Sequence, residues 1–315
     1  MDSFSYQVFQ STTQRNLILS KDKILISVSG GVDSVSLLHI LLNFQSKIDF
    51  EIRLVHFNHG IRPESASEEI FLEKLANHLS IPIDIIRTDH LKDQNDLQNK
   101  ARIWRYNKLQ ELLKQLRFNK IALGHHLNDL METQVWRLIR GSSVYSLNPI
   151  QDINLPYIRP LLRYTKSNLI TFLNSIRQEW MEDSSNLSDD YTRNTIRNKL
   201  VPIMHQCAGG KLEEKFLGLY NEIEELEEVF HHYVPKECYQ IECLNFKMIR
   251  DLPALFAKEL IHRFLLFHQV QILNRYQIQT IFDLIRQNKG NWKISLHGET
   301  VAQGKNKLLR VIRET

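Results

Sequence analysis

The chain has 315 residues, 43% hydrophobic and 24% charged, with a formal net charge of +4. This is ordinary for a soluble globular protein of one large and one smaller domain, and the mild basicity permits a polyanionic partner without demanding one. Three cysteines (Cys207, Cys238, Cys243), few, odd in number and with no CxxC pair, argue against a disulfide scaffold, a zinc ribbon and an iron–sulfur site. The opening "MDSFSYQVFQ" lacks the charged and apolar regions of a signal peptide. No stretch reaches the roughly eighteen apolar residues of a membrane span, so the expected location is the cytoplasm, with no membrane contact.

In chain order, short apolar runs alternate with helical patterns. Residues 23–28 read as a buried strand and 33–44 as a helix. Strands follow at 50–57, 81–88 and 120–126, and helices at 64–79, 96–117 and 128–140. This alternation predicts βαβ units in a doubly wound parallel sheet of the α/β class. Ligands of such sheets lie at the carboxyl ends of the strands, where the clusters at 29–34, 56–62 and 124–132 fall. Beyond about residue 150 the pattern changes, through a charge-dense stretch that ends on a basic helix. "CAGGK" (207–211) reads as a linker, giving an expected division into residues 1–206 and 207–315. The second part is read as mainly helical, at 212–233 and 251–287, closing on short strands. The spacing of "HHYVPKEC" and the following cysteine (231–243) fits no standard zinc site.

The sharpest signal is "KILISVSGGVDS" (23–34). Paired glycines between a strand and a helix let backbone amides converge on one small space, and the helix start adds free N–H groups. That is a nest for phosphate, made by Ser29, Gly30, Gly31, Val32, Asp33 and Ser34. A carboxylate in a phosphate nest makes sense if Mg2+ bridges the two. There is no GxxxxGK[ST] and no GxGxxG, so neither a Walker loop nor a dinucleotide fingerprint is present.

"SGGVDS" resembles the pyrophosphatase loop of the N-type ATP pyrophosphatases, which adenylate a substrate oxygen with ATP and release pyrophosphate. Four more stretches select within them: "VHFNHGIRPES" (55–65), "ARIWRY" (101–106), "LGHHLNDLMETQVWRLIRGSS" (123–143) and "EDSSNLSDDYTRNTIRNKLVP" (182–202). Together they resemble the tRNA-isoleucine lysidine synthetases, in order and spacing, over residues 23 to about 205. Asn58 and Asn128 stand where that family often has aspartate.

The resemblance implies an AMP-forming ligase. The wobble cytidine of tRNA(Ile) with a CAU anticodon is adenylated at its carbon-2 oxygen. The ε-amine of free L-lysine then displaces AMP to form lysidine. The implied catalytic residues are Asp33, Arg105, His125 and Asp129. Asp33 and Asp129 are the expected magnesium ligands, and His125 is the candidate base for the attacking amine. His59, Arg62, Arg102, Glu132, Arg193 and Arg197 are the candidates for tRNA and lysine. The C-terminal lysines and arginines read either as a tRNA clamp or as a solvated basic surface. A homodimer is common for such folds. A tRNA thiolase of the same superfamily and a non-catalytic RNA-binding module of this fold are the alternatives.

Overall fold

The computed structural model describes residues 1–58, 65–88, 97–182, 192–270 and 274–313. Helix α1 (Ser3–Gln14), capped by the Asp2 side chain, precedes the first strand; the sequence patterns did not anticipate it. Then follow β1 (Lys23–Ser27), α2 (Val32–Phe44), β2 (Glu51–Asn58), α3 (Ser65–His78), β3 (Ile83–Arg87), α4 (Leu97–Gln115), β4 (Lys120–Ala122) and α5 (Leu127–Ile139). A short hairpin, β5 (Ile153–Asn154) and β6 (Tyr157–Ile158), leads to α6 (Lys166–Ser175).

Among the described residues these strands form one sheet in the order β3-β2-β1-β4-β6-β5, parallel except at the β5–β6 edge. The expected doubly wound α/β sheet is present. The continuous apolar run of β1 follows from burial on both faces. Ile24 and Ile26 join a core with α1, α2 and α6, while Leu25 joins a second core with Val55, Ile121 and Leu109 of α4. The chain leaves β1 toward one side of the sheet and β4 toward the other. This switch point is where such sheets hold ligands.

At the opposite ends of β1 and β4 lies a buried ion pair. Lys120 Nζ donates to Asp22 Oδ2 and to the Leu17 carbonyl, at 2.7 and 2.8 Å. Asn119 donates to Asp22 Oδ1 at 2.7 Å, and the Leu19 amide donates to Oδ2. Both ionic side chains are 7% exposed.

After α6, a helical run comprises α7 (Thr192–Thr195), a π-turn (Ile196–Leu200) and α8 (Val201–Ala208). It ends at Gly209 and Gly210, both left-handed with φ of 64° and 95°. Next come α9 (Leu212–Tyr233), β7 (Leu244–Asn245), α10 (Phe246–Asp251), α11 (Ala254–Phe267), α12 (Arg275–Arg286), β8 (Trp292–Ser295), β9 (Thr300–Lys305) and β10 (Leu308–Arg313). The stretch read as helical over 251–287 is thus two helices. The last strands form an antiparallel sheet in the order β7-β10-β9-β8.

By compactness the chain divides into Met1–Gln134 with Pro149–Leu217, and Val135–Asn148 with Gly218–Thr315. The core of the second unit holds Phe246, Phe264 and Ile281. It also contains Arg263, bonded to Glu227 at 2.6 Å and Glu259 at 2.8 Å and lying over the Phe230 ring. No described helix is long and apolar enough to cross a membrane.

Lys120→Met leaves a buried carboxylate uncompensated, and a loss of about 3–5 kcal/mol is expected in urea unfolding. Burial pushes the Asp22 carboxyl up, but bonds from Lys120, Leu19 and Asn119 outweigh it and hold the pKa below its ordinary 3.8. A group with a depressed folded pKa stabilises above the unfolded value. This contribution should therefore be complete above pH 3.8 and vanish as pH falls through the lower folded value; acid titration of stability in parent and Lys120→Met checks it. In the second unit, a Cβ on Gly304 would lie 2.2 Å from the Trp292 ring. Gly304→Ala should destabilise by about 1–3 kcal/mol in thermal unfolding.

Candidate active site

The glycine turn follows β1 directly. Gly30 has φ of +85°, a conformation an L side chain rarely adopts, and its carbonyl accepts the Met181 amide at 2.9 Å. Gly31 is the N-cap of α2, with no side-chain cap on the helix amides. Ser34 Oγ donates to the Gly31 carbonyl and accepts the Ser29 amide, both at 3.1 Å. The two serines therefore set the shape of the loop, while the free amides and the helix dipole remain for an anion.

The return of the chain after β4 forms the facing wall. A Cβ on Gly124 would stand 3.1 Å from the Asp33 carbonyl carbon and 3.3 Å from the Ser34 amide. Only glycine lets the two loops meet so closely. His126 then caps α5, and Asp129, the third helical residue, reaches back to accept the His126 amide at 3.0 Å. The buried His126 imidazole lies between the two acids, with Nε2 3.5 Å from Asp33 and 3.6 Å from Asp129. Burial disfavours its charged form, but Asp129 and then Asp33 overcome this and raise its pKa above the ordinary histidine value.

Asp33 Oδ1 is buried without a hydrogen-bond partner among the described residues. Among the described residues no set of three or more His, Cys, Asp or Glu makes a ready metal cage. Two carboxylates beside a phosphate nest fit magnesium, which commonly takes one or two protein carboxylates and completes its shell with phosphate and water.

These groups line a cavity of about 380 Å³, together with His56, Arg105 and His125. Arg105 is half-buried and makes no hydrogen bond or ion pair among the described residues. Burial and the neighbouring Arg102 lower its pKa from the ordinary arginine value. A desolvated cation without a counter-charge is a receptor for an anion. Arg102 is exposed, with its guanidinium 5.1 Å from the centre of the Tyr106 ring.

Glu132 and Arg197, read separately as ligand contacts, are bonded to each other. Arg197 donates twice to the buried Glu132 carboxylate, at 2.7 and 2.9 Å, and its Nη2 lies 3.8 Å from Asp129. Arg197 sits in the π-turn, whose extra residue aims it here. His59 and Arg62 lie outside the described residues, as does the Arg193 side chain.

The two asparagines have structural partners. Asn58 donates to Glu69 at 2.6 Å, where an aspartate would repel. Asn128 accepts the Lys166 amide and donates to Glu213. Sequence reasoning did not single out Gly124, Met181 or Arg159. A lone glycine after a strand was the available signal for the first.

The strand order and glycine nest define the PP-loop class, and residues 3–204 match the family model described as a PP-loop domain. A tRNA(Ile)-lysidine synthase of Petrotoga mobilis is 33% identical over 224 residues, 70% of this chain and 71% of that protein. Another, from Thermosipho africanus, is 32% identical over 297 residues, 92% of this chain and 68% of that protein. The chain belongs to the tRNA(Ile)-lysidine synthase family of PP-loop proteins. A solved U34-tRNA thiolase from Methanococcus maripaludis shares the fold, with a TM-score of 0.59 at 15% identity, covering 70% of this chain and 78% of that one.

Gly124→Ala should push the loop at Asp33 aside. ATP affinity is expected to fall about tenfold, or about 1.4 kcal/mol, in calorimetric titration, with little change in urea stability.

Proposed function

We propose that this protein ligates L-lysine to carbon-2 of the wobble cytidine in tRNA(Ile) bearing a CAU anticodon, consuming ATP and releasing AMP and pyrophosphate. The observation that carries this reading is the cavity itself. An anion nest, an unpaired desolvated arginine and two carboxylates converge at the switch point. The names of the relatives support the substrate.

In this reading the loop amides and the α2 dipole hold the pyrophosphate portion of ATP, which is the leaving group of the first step. Asp33 and Asp129 hold Mg2+, which when bound supplies charge neutralisation on the phosphates. Arg105 faces the charge that develops on the α-phosphate during attack by the cytidine carbonyl oxygen. The adenylated base is then open to the lysine ε-amine, and AMP departs.

Asp129 and Glu132 bind the incoming ammonium. Because Glu132 is already neutralised by Arg197, the ammonium must share or displace that bond. The burial of Glu132 requires some cation to be present throughout. The exposed Arg102 and the basic segment containing Arg193 meet tRNA phosphate, while Arg197 is engaged by Glu132. The wobble base reaches the cavity by leaving its stack.

The test is incorporation of labelled lysine into purified tRNA(Ile) with ATP and magnesium. Label should appear at the wobble position and fall by at least about a hundredfold in Asp33→Ala. Release of AMP and pyrophosphate without label would keep the PP-loop chemistry and reject the lysine substrate. Sulfur incorporation would favour the thiolase alternative, although only Cys207 of the three cysteines lies in the first unit.

A further inference from the structure

Two histidines line the cavity, and each is held through its Nδ1 by a group that can play only one hydrogen-bonding role. His56 follows Val55, which pairs with Ser27 across β1 and β2, so the register sets His56 beside Val28. Its Nδ1 lies 3.0 Å from the Val28 carbonyl oxygen. A carbonyl only accepts, so Nδ1 carries the hydrogen, and in the neutral ring, the form that burial favours, Nε2 carries the lone pair. His56 is 2% exposed, and its Nε2 is buried without a hydrogen-bond partner among the described residues. A buried acceptor without a donor calls for an explanation, and in a ligand cavity the natural one is a ligand.

His125 has the opposite arrangement. Arg159 leaves β6, whose pairing with β4 puts Ile158 against Ala122, and Leu123 donates to the Ile158 carbonyl at 3.0 Å. Arg159, 7% exposed and anchored to the Gln151 carbonyl at 2.7 Å, donates from Nε to His125 Nδ1 at 3.2 Å. A guanidinium only donates, so His125 Nδ1 carries the lone pair and Nε2 the hydrogen.

We propose that His56 and His125 are locked in opposite tautomers, and that the Nε2 of His56 thereby accepts a hydrogen bond from the bound nucleoside. This rests on the reading of the cavity as the nucleotide site. The partner of His56 is an amino or hydroxyl group of a nucleoside. Arg159 is a positioning residue that acts through His125. In this assignment His125 has no lone pair left for the role of base expected from the sequence, which leaves the proton of the attacking ammonium to the carboxylates.

The test is long-range proton–nitrogen correlation on the full chain labelled with 15N-histidine, with His56→Asn and His125→Gln used for assignment. His56 should show a protonated Nδ1 and a bare Nε2, and His125 the reverse. ATP with magnesium is added first, then the tRNA. A shift of His56 Nε2 at the first addition assigns the donor to ATP, and at the second to the tRNA; no shift at either overturns the proposal. In Arg159→Met the His125 signals should move toward a mixture of tautomers, and in Arg159→Lys less so. Unchanged His125 signals in Arg159→Met, or the same tautomer in both wild-type rings, would equally overturn it. His56→Asn keeps a donor for Val28 but loses the acceptor. Its single-turnover rate should fall about a hundredfold at unchanged urea stability, and full activity would reject the assignment. The tautomers are read without turnover, so a failure of lysine ligation alone would sink the proposed reaction and leave this inference standing.

Discussion

Two carboxylates held close together in a half-buried cleft repel each other, and the organisation of the site answers that repulsion. Asp33 comes from the turn after β1 and Asp129 from the helix after β4. Between them stands the His126 imidazole, which their field favours in its charged form. Arg197 approaches Asp129 from a third element. Cations therefore surround the acids, and the free amides of the α2 start add further positive potential. The sheet order follows the same logic, because β1 and β4 must be neighbours for the acids to meet at all.

The sheet was legible because burial on both faces leaves an unmistakable record. Every core residue of β1 is apolar, and the helices between strands show the complementary spacing. The glycine nest was legible because few other folds need that turn. Less legible were features that depend on what a side chain meets. β4 ends at Ala122 and not at 126, because residues 123–126 turn away to build the site while keeping an apolar, strand-like appearance. The first helix was missed because its buried face is small and polar, with Ser5 and Thr12 beside Val8.

The site residues show a sharper division. Glu132 and Arg197 were each singled out in the sequence, yet nothing in their spacing says that they are bonded to one another across 65 positions. The asparagines at 58 and 128 look like weakened acids in the sequence, whereas in the fold each is the amide that a neighbouring glutamate requires. The histidine pair at 125–126 divides as well. One ring is enclosed by acids, and the other is held by Arg159, a residue with no distinctive motif around it. Chemistry is written locally, but partnership is settled by the sheet register.

The π-turn at Ile196–Leu200 gives chain length a meaning of its own. A helix advances roughly 100° per residue, so losing one residue there would swing Arg197 off Glu132 while every side chain at the contact kept its identity. Within this short window a deletion is a change of electrostatics, not only of spacing.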